Sequence, residues 1–187
     1  MIEIEICPIL LKLLSFLNQY SNAISLIVAL IGGGLGGGFA LCQWRKSIKV
    51  QRADFIGKLL EKIIDDKDLQ ETRNLIDYEQ QWYNKDFHNN SELERSIDKL
   101  FRYMDHICYL EQTGNISSKE FKIFQYDVHR ICVSCSAQAY LWNLYHFSQK
   151  NKAECSFLHI IDYGIENKLL PKDFKSNKSL YDKCLNW

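Results

Sequence analysis

Apolar residues recur at helical spacing along most of this chain. Ile9, Leu10, Leu13, Leu14 and Leu17 gather on one side of a short segment, and Lys12, Ser15 and Gln19 on the other. This predicts an amphipathic helix over 9–20, too short and too polar to span a bilayer. From 47 to 64, Phe55, Ile56, Leu59, Leu60 and Ile63 form one stripe. Asp65-Asp66-Lys67-Asp68 breaks that helix and caps the next, over about 69–82. A polar loop follows over 83–90. Ser91 with Glu94 is a capping-box pattern, opening a helix with Leu93, Ile97, Leu100, Met104 and Ile107 at core spacing. Thr113-Gly114-Asn115 ends it, and Ser117 with Glu120 is a second capping box. The helix opened there is predicted to be the longest, with Phe121, Phe124, Val128, Ile131, Cys135, Gln138, Trp142 and Tyr145 alternating at three and four. Asn151 breaks it, a shorter helix runs over about 153–167, and the tail 168–187 is irregular. Short connections favour an antiparallel bundle, so the predicted fold is all-α. The only prolines, Pro8 and Pro171, lie outside the central region.

The stretch between the first two helices admits two incompatible readings. Ile24 to Ile31 is an apolar run of strand length, and Gly32, Gly34 and Gly37 after it spell G-x-G-x-x-G, with Asp54 about 20 positions on. That is a dinucleotide-loop pattern, which a third function class, a flavin or nicotinamide enzyme, would need. The competing reading is a membrane helix over 23–43. Ala23 to Cys42 carries no charge, and about twenty residues at a rise of about 1.5 Å cross a bilayer core of about 30 Å. Tyr20 and Trp44 flank it as interfacial aromatics, and Arg45, Lys46, Lys49 and Arg52 follow. The preceding residues carry Lys12 as their one cation, so the N-terminus is expected outside and the bulk of the chain in the cytoplasm. The span is the expectation taken here, because further alternating strands and helices are missing. It divides the chain into an outer segment 1–22, a membrane helix 23–43 and a helical bundle 44–187. Glu3 and Glu5, and the lack of an A-x-A site, argue against a cleaved signal peptide.

Composition changes this picture little. Net charge is zero, which argues against a chain that coats nucleic acid but permits a local basic patch. Seven cysteines show no regular framework, and those after the span would be reduced thiols.

Chemistry-bearing constellations are sparse. His129, Cys132 and Cys135 stand at three-residue steps and could begin a zinc site, yet Cys135 falls on the apolar stripe, where a cysteine packs as a small hydrophobe. Arg102 and His106 share a helix face, and with Asp98, Tyr103 and Asp105 could form a polar site for RNA cleavage. The plainer alternative is an i, i+4 ion pair between Asp98 and Arg102. No Ser-His-Asp set, H-E-x-x-H or P-loop is present, and no cofactor is implied.

Gly32, Gly33, Gly34, Gly36, Gly37 and Gly38 form three overlapping G-x-x-x-G pairs. In lipid such pairs let helix backbones approach closely, and glycine on most of the circumference suits a ring with two neighbours per helix. A weakly packed anchor is the alternative.

The cytoplasmic stretches "RADFIGKLLEKIIDDKDLQETRNLID" and "YLEQTGNISSKEFKIFQYDVHRIC" resemble a broad set of bacterial single-span proteins. The layout resembles, more narrowly, the small membrane accessory proteins of RNA-targeting type VI-B CRISPR systems. That resemblance implies a HEPN-like helical fold, a ring-shaped homo-oligomer in membrane lipid, and a pore that permeabilises or depolarises the bacterial inner membrane when a partner RNA-guided nuclease is activated. Nucleases of the HEPN group carry R-x(4–6)-H, whereas Arg102 and His106 are spaced R-x(3)-H. The alternative activity is that of a membrane-tethered RNA-binding or RNA-cleaving protein.

Overall fold

The computed structural model describes residues 8–78, 80–88 and 91–185. For 8, 10, 11, 14, 17, 21–24 and 27–35 it describes the backbone element alone. Among the described residues there are eight helices and no strand: α1 Pro8–Gln19, α2 Ser21–Asp65, α3 Lys67–Asp77, α4 Glu92–Gln112, α5 Ser118–Phe121, α6 Gln125–Val133, α7 Cys135–Lys150 and α8 Leu158–Glu166. The all-α expectation is met.

The membrane expectation is not. Among the described residues, no helix is long and apolar enough to cross a membrane. This corrects the span over 23–43 and, with it, the single-pass inner-membrane placement with its N-terminus outside. The glycines are one physical reason, since six of them between 32 and 38 add no apolar side chain. The helix also has no end at Cys42: α2 runs unbroken past Arg45, Lys46, Lys49 and Arg52 to Asp65. The same continuity removes the dinucleotide loop, because the glycines sit inside a helix rather than at a strand-to-helix turn, and their amides are committed to that helix.

Two compact units make up the chain, Met1–Gly57 and Lys58–Trp187. In the first, the Phe16 and Tyr20 rings meet at 4.7 Å on α1 and its end. A Cβ added at Gly36, Gly37 or Gly38 would meet nothing within 4 Å. Gly32, Gly33 and Gly34 belong to α2, but their surroundings lie outside the described residues. Trp44, Arg45 and Lys46 are exposed.

The second unit is built around α4. Its apolar stripe, Ile97, Leu100, Phe101, Met104, Ile107 and Cys108, is fully buried. α3, α5 and α8 pack against α4, and α6 packs against α3, α7 and α8. The helix starts follow the sequence signals. Ser91 accepts from the Glu94 amide at 3.1 Å. At α5 the capping box is complete, with the Ser117 amide donating to Glu120 at 2.7 Å and the Glu120 amide donating to the Ser117 hydroxyl. Two Arg–Asp pairs tie α3 to α6: Arg73 Nε to Asp127 at 2.7 Å and Arg130 Nε to Asp77 at 3.1 Å.

Two expected helices are redrawn. α3 stops at Asp77 rather than near 82, because Trp82 and Phe87 leave helical register to bury against Phe101 and Tyr140. The expected longest helix after Ser117 is three helices. Ser134 is extended, at φ −68° and ψ 124°, and serves both as the end of α6 and as the cap of α7, its hydroxyl accepting from the Ala137 amide. Serine at an N-cap satisfies an orphan amide better than it sustains a helix interior. α8 begins at Leu158, later than expected.

Gly164 marks the tightest approach. A Cβ there would lie 2.7 Å from Leu170 Cδ1 and Cγ and 3.2 Å from Cys132 Sγ, all on buried side chains. Alanine is the better helix former by about 1 kcal/mol. Gly164→Ala is nevertheless expected to destabilise the fold, because overpacking costs about 1–3 kcal/mol. A lower urea midpoint would show it; a higher one would place Leu170 further from α8.

Candidate nucleic-acid interface

The residues singled out for metal are separated by the break at Ser134. Cys132 is buried and its thiol donates to the Ile160 carbonyl, whereas His129 and Cys135 are exposed. Among the described residues no group of three metal-ligating side chains is assembled. The expectation that Cys135 packs in the core is also corrected, since it stands in the first turn of α7 and faces solvent. Burial raises the Cys132 thiol to about 12 and pushes the Cys108 thiol up as well, so both remain neutral packing groups.

The polar set around Arg102 and His106 is rearranged. Asp98 accepts from the Tyr140 hydroxyl across the core instead of pairing with Arg102. Tyr103 donates to the Leu59 carbonyl. Asp105 turns to the start of α8, where its Oδ1 accepts from the Ile160 amide at 3.0 Å. Phe157 at the N-cap of α8 supplies no side-chain bond, so Asp105 caps that helix from α4. Three of the five expected site residues are therefore structural.

Arg102 and His106 remain exposed, with different neighbours. Arg95, Lys99, Arg102, His106 and Tyr109 recur every three or four residues, opposite the buried stripe of α4. The first half of this line is neutralised. Lys99 reaches Asp66 and Asp68, each at 2.8 Å, and Arg95 lines a hollow with Asp68, Glu71 and Glu92. The Lys99 hydrogen bond holds the Asp66 carboxyl below its ordinary value. Further along, the His106 ring lies nearly parallel to Tyr109 at 6.3 Å, and the His159 ring meets the same tyrosine at 5.1 Å. Tyr109 is 42% exposed, so an aromatic face stands open between two imidazoles with Arg102 two turns before it.

The tautomer of His159 follows from its partner. Gln112 Nε2 donates to the His159 carbonyl at 3.4 Å, which fixes the amide so that its oxygen faces the ring. That oxygen accepts from Nδ1 at 2.7 Å. Nδ1 therefore carries the proton, and Nε2 of the neutral ring is a proton acceptor. Asp105 belongs to the same corner. Burial pushes its carboxyl above the usual value of 3.8, while the amides of Ile160 and His159 and the charges of both histidines pull it back. A raised native value means that the fold holds this proton to higher pH than the unfolded chain. The stabilisation is complete below 3.8 and is lost as pH rises through the native value. The stability gap between Asp105→Asn and the native chain is thus expected to shift in favour of the variant as pH rises through this window. Urea unfolding at several pH values reads it, and a gap that stays constant would show that burial leaves Asp105 untouched.

Tyr109 and His159 are the site residues that the sequence reading missed. The helical stripe from Arg95 to Tyr109 was available in the spacing; His159, fifty residues on, joins only through the packing of α8 on α4.

A second polar cluster is closed to chemistry. The Tyr83 hydroxyl lies 3.0 Å from His88 Nε2, and His88 Nδ1 lies 3.1 Å from Glu94. Burial pushes the Tyr83 hydroxyl up, so it stays protonated, and it also bonds the Cys184 thiol. Burial likewise raises the neighbouring Cys184 thiol, so no thiolate forms there.

What the structure shows is an all-helical fold that carries His106, Tyr109 and His159 together on its surface, with Arg102 on the same face of α4. No family model, curated protein or solved structure matches the chain.

Proposed function

We propose that this chain binds single-stranded RNA on the face formed by α4 and the start of α8. The observation that carries this reading is Tyr109, exposed and flanked by His106 and His159, with Arg102 on the same helix face. Unpaired bases stack on aromatic and imidazole planes, and an arginine beside them serves a phosphate. Recognition by stacking at one place is compatible with a net charge of zero, because it requires no extended basic surface.

RNA cleavage is a second reading, favoured by the proton-accepting Nε2 of His159 and a second imidazole, His106, across the same tyrosine. Two imidazoles can act as base and acid in transfer at a 2′-hydroxyl. The partner implied by the type VI-B resemblance, an RNA-guided nuclease, would share RNA as a ligand with this face. Ring assembly around a pore depends on the span corrected above, and no described residue supports it.

Fluorescence anisotropy with a labelled single-stranded RNA of about ten nucleotides tests the reading. Binding that weakens as salt rises, with a duplex of the same sequence bound less well, is expected. Equal binding of duplex and single strand, or none at low salt, would overturn it.

A further inference from the structure

Formal charge sums to zero over the chain but is unevenly placed. Between Glu5 and Asp54 there is no acidic residue, whereas Lys12, Arg45, Lys46, Lys49 and Arg52 are cations. Most of that charge falls on an uncovered part of α2. From Gly36 to Gln51 every residue is exposed, and Ile56 is the first buried side chain described on this helix.

The exposed part is not simply polar. Leu41, Trp44 and Ile48 follow one another at steps of three and four, which puts them on one helix face. Phe55 returns to the same face seven residues on, while Phe39 and Val50 lie off it. Trp44 is 62% exposed and Leu41 56%. Apolar side chains exposed singly need no explanation, but a row of them on one face marks a contact surface. α1 carries a row of the same kind, with Ile9, Leu13, Phe16 and, just past its end, Tyr20 all exposed at steps of four, three and four.

Cations border the row on α2. Arg45 and Lys49 stand one turn apart on the adjoining face, with Lys46 beyond them, and all three are exposed. Their aliphatic stems can lie along an apolar layer while the charged ends stay in water. Three occupants compete for such a face. A second copy laid against it would bring the same cations together, and the 6–53 stretch has no acidic residue to meet them. RNA would meet the cations but gains little from Leu41 and Ile48, because its bases stack on aromatic planes. An anionic lipid surface suits both features, its acyl boundary receiving the apolar row and its phosphates facing the cations.

We propose that the 41–55 stretch of α2 binds an anionic lipid surface, with Leu41, Trp44, Ile48 and Phe55 at the acyl boundary and Arg45, Lys46 and Lys49 at the headgroup phosphates. The helix lies in the plane of the surface and does not cross it. This contact shares no residue with the α4–α8 face.

Co-sedimentation of the full chain tests it, using phosphatidylcholine vesicles with and without phosphatidylserine. Binding to the mixed vesicles is expected, with blue-shifted tryptophan emission, and little binding to the neutral ones. Arg45→Gln/Lys46→Gln/Lys49→Gln is expected to weaken binding at least about tenfold, since one cation at an anionic surface contributes about fivefold. Trp44→Ser/Ile48→Ser is expected to weaken it by at least about tenfold as well. Both variants should keep the native melting temperature, because all five side chains are exposed. Failure to bind the mixed vesicles, equal binding to neutral ones, or undiminished binding by either variant would overturn the proposal. Association that survives an alkaline carbonate wash would overturn the in-plane placement. A dimer without vesicles that Trp44→Ser/Ile48→Ser dissociates would give the face to a second copy instead. Loss of RNA affinity in the triple variant, with vesicle binding intact, would give its cations to RNA.

Discussion

Phe101→Ala is expected to lower the unfolding free energy by about 3–5 kcal/mol, the largest effect foreseen for a single substitution in this chain. Phe101 has no exposed surface and lies on the buried stripe of α4. Its ring meets Tyr140 at 5.5 Å, Phe157 at 5.7 Å and Trp82 at 6.3 Å, all edge to face. These partners come from α7, the segment before α8 and the loop after α3, so one side chain joins four parts of the fold. Truncation leaves a void lined by rings that cannot all close in, and the loss of edge-to-face contact adds to the loss of burial. Domains of this size have about 5–15 kcal/mol in total, so the variant should show a large drop in urea midpoint and weakened near-ultraviolet ellipticity. A drop below about 1 kcal/mol would mean that the aromatic cluster is not the core of this unit.

Tyr109→Ala is expected to do the reverse, leaving stability intact while removing binding. The side chain is exposed, with the His106 ring nearly parallel to it and the His159 ring tilted against it, so a stability change within about 0.5 kcal/mol is expected. Losing one stacking platform costs about 1–3 kcal/mol of binding, or roughly 5- to 150-fold in single-stranded RNA affinity. Tyr109→Phe, which keeps the ring, should retain most of it. If alanine and phenylalanine weaken binding equally, the hydroxyl rather than the ring is the contact, and the stacking account fails. Arg102→Ala should act differently, reducing the salt dependence of binding more than its selectivity for single strands.

Helix patterning was highly legible in the sequence. Ile97, Leu100, Met104 and Ile107 are buried as their spacing requires, and Ser91 and Ser117 cap the helices they were expected to open. Breaks inside long periodic runs were less legible. The three–four alternation after Ser117 runs past Ser134 in the sequence although Cys135 faces solvent there, so periodicity alone hid the cap. The glycine run misled more deeply. Absence of charge over 23–42 was read as apolarity, although glycine contributes neither charge nor an apolar side chain. At the candidate site, the shared helix face of Arg102 and His106 is legible in their spacing, whereas the side chains around them are not. Asp98 and Asp105 are neighbours in sequence and turn away to bond Tyr140 and the start of α8, while His159 arrives from another helix.

Single-stranded RNA on the proposed α4–α8 face would be reported directly by the five histidines. Titrating single-stranded RNA while following their ring resonances by nuclear magnetic resonance compares His106 and His159 on the proposed face with His88, His129 and His146 elsewhere. The account predicts that His106 and His159 move together with the Tyr109 ring while the other three hold their positions. Movement confined to the other histidines, with His106 and His159 unchanged at saturating RNA, would contradict it.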